Sequence, residues 1–159
     1  MKKIRVGIIG TGSLAGLHIS AYRNNPFSEV TAVCDVNAER ARQKAAELGI
    51  KNAYDDYREM LKSDEIDAVS VVTRNNSHAP ITIAALEAGK HVLCEKPPAL
   101  NALEAEEMYK ASQKSGKLLM YGFVKRFSGS IRTIKEFIDN GELGHIYYAK
   151  TGCLRRCGN

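Results

Sequence analysis

Ile4-Arg5-Val6-Gly7-Ile8-Ile9-Gly10-Thr11-Gly12-Ser13-Leu14-Ala15-Gly16 decides the reading of this chain. The apolar, β-branched run up to Ile9 predicts a buried parallel strand, and it stops at two glycines one residue apart. A helical pattern follows at once, with Leu14, Leu17, His18, Ala21 and Tyr22 expected on one side. Strand, glycine turn and helix in so short a span predict the phosphate-binding turn of a dinucleotide fold. Gly10 permits the tight turn and Gly12 lets backbone approach a pyrophosphate. Ala15 takes the third position, where a small side chain lets helix and strand pack closely. The first amides of that helix lack intrahelical acceptors, so they and the helix dipole suit an anion.

Working outward, Glu29–Cys34 predicts a second strand that ends at Asp35, 25 residues after Gly10 (35 − 10). An acidic group about 20 residues after the first glycine is where an adenosine ribose is held. A carboxylate at Asp35 repels a 2′-phosphate, so NAD is favoured; Arg40 nearby keeps NADP as the alternative. Asp35 serving only to cap the next turn is the competing reading. Helices are expected at Ala38–Leu48, closed by Gly49, and at Tyr57–Lys62, with a short strand at Asn52–Tyr54 between them. Ala68–Val72 predicts a fourth strand, and Thr73-Arg74-Asn75-Asn76-Ser77-His78 leads into a helix at Ala79–Ala88. His91–Cys94 predicts a fifth strand, and Glu95-Lys96-Pro97-Pro98 follows it. Asn101 and Glu104 form a capping box for a helix to about Lys114. Gly116 ends that helix before a sixth strand at Leu118–Tyr121. Six alternations of strand and helix predict an α/β, doubly wound parallel sheet in the order 3-2-1-4-5-6.

The rhythm changes after Tyr121, so residues 1–121 read as a dinucleotide-binding domain and 122–159 as the beginning of a second, α+β domain. An amphipathic helix is expected at Ile131–Ile138, then a half-exposed strand at Ile146–Leu154 with nothing left to pair with. That orphan strand suggests a chain cut inside its second domain. Charge is also uneven: residues 122–159 carry 7 Lys/Arg against 3 Asp/Glu, or +4 of the net +5. Such a basic end suits nucleic acid, an anionic ligand or a partner surface, and cofactor phosphate suffices to explain it. No recognition-helix pattern or aromatic–basic interleaving supports nucleic-acid binding. No apolar run reaches the roughly 20 residues of a membrane helix, and Met1-Lys2-Lys3 leads straight into the first strand without a secretory leader. The 159 residues include four scattered cysteines, which read as reduced thiols of a cytoplasmic protein. Cys153 and Cys157 have a weak metal-like spacing without a histidine cluster, and no metal site is expected.

Ligands of an open α/β sheet sit outside the carboxyl ends of its strands, near the point where strand order reverses. The segments expected there are the Gly10 turn, Asp35, Thr73 with Asn75 and His78, Glu95-Lys96-Pro97, and Lys125-Arg126-Phe127. Lys96 is the candidate for proton transfer, because an amine beside a bound nicotinium cation and shielded from water suits acid–base work. A surface lysine that merely follows a strand is the competing reading. Lys96–Pro97 is a candidate cis bond. His78 either bonds a ribose or caps its helix, with capping favoured.

Gly10-Thr11-Gly12-Ser13-Leu14-Ala15, Asn75 with His78, Cys94-Glu95-Lys96-Pro97 and Gly122-Phe123 with Arg126-Phe127 together resemble the glucose–fructose oxidoreductase, inositol dehydrogenase and rhizopine catabolism (Gfo/Idh/MocA) family. The resemblance implies an NAD(P)-dependent dehydrogenase acting on a CH–OH group of a sugar, cyclitol or related polyol. It implies that Gly10 to Ala15, Asp35, Val36, Arg40, Thr73, Asn75 and His78 border the cofactor. Lys96 then bonds the reacting hydroxyl, Glu95 borders the nicotinamide and Arg126 helps to hold it. Arg74 departs from the family, which has proline in a Thr-Pro-Asn turn. The family also carries a second domain whose open sheet supplies an Asp and a His to the site and builds a homo-oligomer. Of that catalytic group only Lys96 is present, so this chain is expected to bind cofactor with little turnover. The competing functions are a non-catalytic dinucleotide-binding or interaction module and, less favoured, an S-adenosylmethionine-dependent methyltransferase.

Overall fold

A computed structural model describes residues 2–152. Two compact units, Met1–Gly122 and Phe123–Asn159, divide the chain. The first unit holds strands β1 (Ile4–Ile9), β2 (Ser28–Cys34), β3 (Asn52–Tyr54), β4 (Ala68–Val71), β5 (His91–Cys94) and β6 (Leu119–Tyr121). Between them lie helices α1 (Ala15–Arg23), α2 (Ala38–Leu48), α3 (Tyr57–Leu61), α4 (His78–Glu87) and α5 (Ala102–Ser115). The strands form one sheet in the order β3-β2-β1-β4-β5-β6, and all neighbours are parallel. Order reverses between β1 and β4, the switch point of a doubly wound sheet.

Strand alternation splits the core into two layers. Val6, Ile8 and Val33 pack with Ala15 and Ile19 of α1 and Ala45 of α2. Ile9, Cys34, Val69, Val71 and Cys94 face Met60, Leu86 and Met108 on the opposite side. Gly7 sits under Met60: a Cβ there would lie 2.0 Å from the Met60 methyl carbon, so the helix side chain fills the space a larger strand residue would take.

The helices start and stop where their end residues dictate. Asn37 accepts from the Arg40 amide at 3.0 Å, and Gly49 closes α2 with φ 60°. Asn101 accepts from the Glu104 amide at 2.9 Å, while Glu104 reaches back to the Leu100 amide at 3.0 Å. That is a capping box moved out by one residue.

Three expectations differ from the structure. α1 buries Ala15 and Ile19, whereas Leu14 and Leu17 are exposed. The glycine turn brings the helix start close to the sheet, only a small residue fits there, and Ala15 thereby fixes which face is turned in. Before α4, residues Asn75–Ser77 form a 3₁₀ turn, so the helix begins at His78. Finally, residues 146–152 form no strand. A strand exists only as part of a ladder, and none of the described residues pairs with this segment. Leu154, Cys153 and Cys157 lie outside the described residues.

The second unit contains a 3₁₀ turn at Val124–Phe127 and α6 (Gly129–Asp139). Ile131, Ile134, Phe137 and Ile138 form an apolar stripe on α6 that is between 42% and 49% exposed. No helix among the described residues is long and apolar enough to cross a membrane.

Candidate functional site

Gly10 turns the chain out of β1 with φ 97°, and a Cβ there would stand 2.5 Å from the Val72 carbonyl oxygen. Only glycine fits. Its amide donates to the Cys34 carbonyl at 2.8 Å, which holds the turn against the end of β2. Gly12 is different: nothing lies within 4 Å of a Cβ placed on it, so the space above it is open. The amides of Gly12, Ser13 and Leu14 have no protein acceptor among the described residues. They stand at the start of α1, an arrangement suited to a diphosphate.

Thr11 points away from that space. Its amide and hydroxyl donate to Asp35 Oδ2 at 2.9 and 2.8 Å. The other oxygen of Asp35 accepts from the Asn37 amide and the Arg40 guanidinium, each at 3.0 Å. Burial opposes the charge on Asp35, but the Asn37 and Thr11 hydrogen bonds and the Arg40 cation outweigh it and hold the carboxyl below its ordinary value. With four donors in place, the carboxylate's acceptor sites are filled. Arg40 is the exposed member of the set, its side chain 51% accessible.

A cavity of about 960 Å³ opens over the carboxyl ends of β1, β2 and β4. Its walls include Gly10, Gly12, Ser13, Leu14, Asp35, Val36, Arg40 and Thr73. The volume falls at the upper end of the roughly 300–1,000 Å³ typical of ligand pockets. Ala15 is fully buried and serves packing rather than the wall. Asn76 lines the cavity and Asn75 does not, because the 3₁₀ turn presents the second asparagine. Arg74 adopts φ −73° and ψ 150°, within the range proline imposes, so the backbone here is one a Thr-Pro-Asn turn would share. Ser77 ties the turn together by donating to Thr73 Oγ1 at 2.8 Å.

His78 neither caps α4 nor reaches the cavity. It is 1% exposed, with Nδ1 2.7 Å from the Pro97 carbonyl oxygen and Nε2 3.2 Å from that of Thr73. It therefore ties the segment after β4 to the segment after β5. The Lys96–Pro97 bond is cis. Glu95 is buried, with Oε2 accepting from the Lys96 amide at 3.1 Å. Lys96 itself is exposed, and its ammonium has no ion-pair partner among the described residues. Neither Glu95 nor Lys96 lines the cavity, which covers the β1–β2–β4 end of the crevice. Arg126 belongs to the second unit, on the Val124–Phe127 turn.

Two contacts of His18 escaped the sequence reading. His18 Nδ1 lies 2.8 Å from Ser70 Oγ, and His18 Nε2 lies 3.0 Å from Glu95 Oε1. The signal was present: Ser70 is the polar residue in an otherwise apolar strand, and Glu95 is a carboxylate directly after β5.

Comparison with known proteins agrees with this geometry. Over 156 residues the chain is 42% identical to D-glucoside 3-dehydrogenase of Escherichia coli, covering 98% of this chain and 44% of that protein. Among solved structures, scyllo-inositol dehydrogenase from Lactobacillus casei with bound NAD(H) and scyllo-inositol matches with a TM-score of 0.83 at 30% identity, over 90% of this chain and 43% of that one. A 3-ketoreductase from Actinomadura kijaniata in complex with TDP-benzene and NADP matches with a TM-score of 0.80 at 33% identity, over 88% and 44%. The chain thus spans less than half the length of these relatives. Residues 4–123 match the model of the GFO_IDH_MocA oxidoreductase family, described as an NAD-binding Rossmann fold, and with its glycine turn, Asp35 and Glu95-Lys96 at neighbouring strand ends the chain belongs to that family.

Proposed function

We propose that this chain is the cofactor-binding part of a cytoplasmic, homo-oligomeric NAD(P)-dependent dehydrogenase that oxidises or reduces a CH–OH group of a sugar, cyclitol or related polyol. The observation that carries the reading is the joint placement of the open amides at Gly12–Leu14 and of Lys96, whose backbone is anchored by Glu95 while its ammonium is left unpartnered. The three amides bind the diphosphate. Asp35 accepts from the adenosine ribose once the Arg40 guanidinium, on the exposed side chain of its four donors, gives way. The displaced Arg40 then offers a cation to a 2′-phosphate, which keeps NADP within reach. Bound nicotinamide supplies the hydride acceptor. Lys96 takes the hydroxyl proton of the substrate and returns it in the reverse direction.

Residues 122–159 are assigned as the beginning of the substrate and oligomerisation domain. The buried, unpaired thiols of Cys34 and Cys94 suit a reducing compartment. Burial pushes both upward, Cys34 to about 12 and Cys94 to about 11, so neither is a nucleophile near neutrality. Substrate-positioning residues contribute much of the rate, so residues 1–159 alone are expected to bind NADH and turn over little.

The test is NAD-dependent oxidation of a panel of inositols and glucosides by wild type and Lys96→Ala, both in a form that carries a complete second domain, with residues 1–159 alone as the low-turnover control. Loss of about 10²- to 10⁴-fold in kcat with NADH affinity changed less than about threefold supports the reading. Unchanged turnover in Lys96→Ala overturns it and favours a non-catalytic dinucleotide-binding module.

A further inference from the structure

A line of buried polar side chains crosses the interior from α1 to the segment behind β5. Ser70 Oγ of β4 meets His18 Nδ1 of α1 at 2.8 Å, and His18 Nε2 meets Glu95 Oε1 at 3.0 Å. Glu95 Oε2 then accepts from the Lys96 amide at 3.1 Å. The side chains of His18 and Glu95 are only 12% and 11% exposed, and Ser70 is fully buried.

Strand and helix periodicity explain why these residues meet. Val69 and Val71 of β4, and Cys94 of β5, face the α4–α5 layer. Ser70 and Glu95, one position out of phase with them, must face α1. His18 follows Ala15 by three positions, so it shares the helix face that packs on the sheet.

Donor and acceptor roles are then determined. A carboxylate only accepts, so His18 Nε2 carries the hydrogen and donates to Glu95. With the hydrogen on Nε2 of a neutral ring, Nδ1 accepts from the Ser70 hydroxyl.

The carboxylate of Glu95 is hemmed in on its remaining side as well. A Cβ on Gly122 would stand 2.8 Å from Glu95 Oε1 and 3.2 Å from Oε2, so glycine there lets the backbone behind β6 lie against it. Contact with His18, the Lys96 amide and the Gly122 backbone leaves Glu95 a single placement. A buried carboxylate held this firmly does more than satisfy a histidine, because one of its oxygens grips the peptide that carries Lys96.

We propose that His18 is a positioning residue: by holding Glu95 it fixes the Glu95–Lys96 peptide, and with it the point from which Lys96 addresses the nicotinamide. The proposal rests on the dehydrogenase reading for its purpose, but the mechanical link from His18 to the Lys96 amide can be measured apart from it.

Two variants separate the ends of the imidazole. The amide of His18→Gln takes the place of Nε2 and can still donate to Glu95. That of His18→Asn takes the place of Nδ1, keeps Ser70 and loses Glu95. The experiment compares wild type, both variants and Ser70→Ala by amide hydrogen exchange at Lys96, by the emission of bound NADH, and by thermal melting. Lys96→Met supplies the emission expected when the ammonium is missing.

His18→Asn is expected to speed Lys96 exchange by about tenfold or more and to move NADH emission toward that of Lys96→Met. His18→Gln is expected to stay within about twofold of wild type in exchange. Ser70→Ala, which frees the ring to turn, falls between them. Equal Lys96 exchange in wild type and His18→Asn overturns the proposal. So does loss in both His18 variants that merely tracks their melting temperatures, since that is the behaviour of a packing residue. Failure of wild type to bind NADH, or of Lys96→Met to alter its emission, overturns the dehydrogenase reading instead, and Lys96 exchange still decides the role of His18.

Discussion

Residue identities in this chain are constrained most tightly where carboxylates meet fixed donors. At the amino end of the sheet, Asp67 accepts from the Arg5 amide, Nε and Nη2 at 2.9, 2.9 and 2.7 Å. The Arg5 hydrogen bond holds the Asp67 carboxyl well below its ordinary value of 3.8. A folded-state value lower than the unfolded one means that the folded chain binds fewer protons. The contribution is therefore complete above about pH 4 and drains away as pH falls toward the folded value. Asp67→Asn is expected to melt lower than wild type at pH 7, with the gap narrowing as the solution is taken below about pH 4. A gap that stays constant with pH contradicts the pairing. At this scale the sequence was legible where backbone geometry selects a residue, as at Gly10. It was partly silent at His78, because a histidine next to a helix start looks the same whether it caps, binds a ribose or turns inward. His18 was set on the expected inner side of α1, but nothing local in the sequence ties it to Ser70 and Glu95, 52 and 77 residues away.

At the level of elements, the ends of helices were easier to read than their faces. Asn101, Gly49 and Gly116 mark their helix ends by local chemistry alone, and each stands where that chemistry places it. Faces depend on what the helix packs against. In α1 the two leucines suggested the buried side, but the close approach enforced by the glycine turn turned Ala15 and Ile19 inward instead. The segment 146–152 shows the same dependence more strongly, since alternation without a neighbouring strand does not make a ladder. Asn101→Ala tests the local argument: removing this cap from α5 is expected to cost about 1 kcal/mol in urea unfolding. Little change would mean that Glu104 and the packing of Met108 hold the helix start without it.

For the molecule as a whole, six parallel strands in the order β3-β2-β1-β4-β5-β6 were legible from six strand–helix alternations, because right-handed crossovers leave few other topologies. That order places the open amides of the glycine turn, Asp35 and the Glu95-Lys96 peptide along one edge of the sheet. Legibility ended at the second unit, where 30 described residues (123–152) carry one regular helix, α6. The central claim is that the Gly12–Leu14 turn is a dinucleotide diphosphate site. Gly12→Val examines it directly, since the added side chain meets no protein atom within 4 Å of its Cβ and occupies only the space reserved for phosphate. In a fluorescence titration with NADH, wild type is expected to bind saturably and Gly12→Val to lose at least about tenfold in affinity, or roughly 1.4 kcal/mol, while melting within about 3 °C of wild type. Equal NADH affinity in the two proteins would contradict the account.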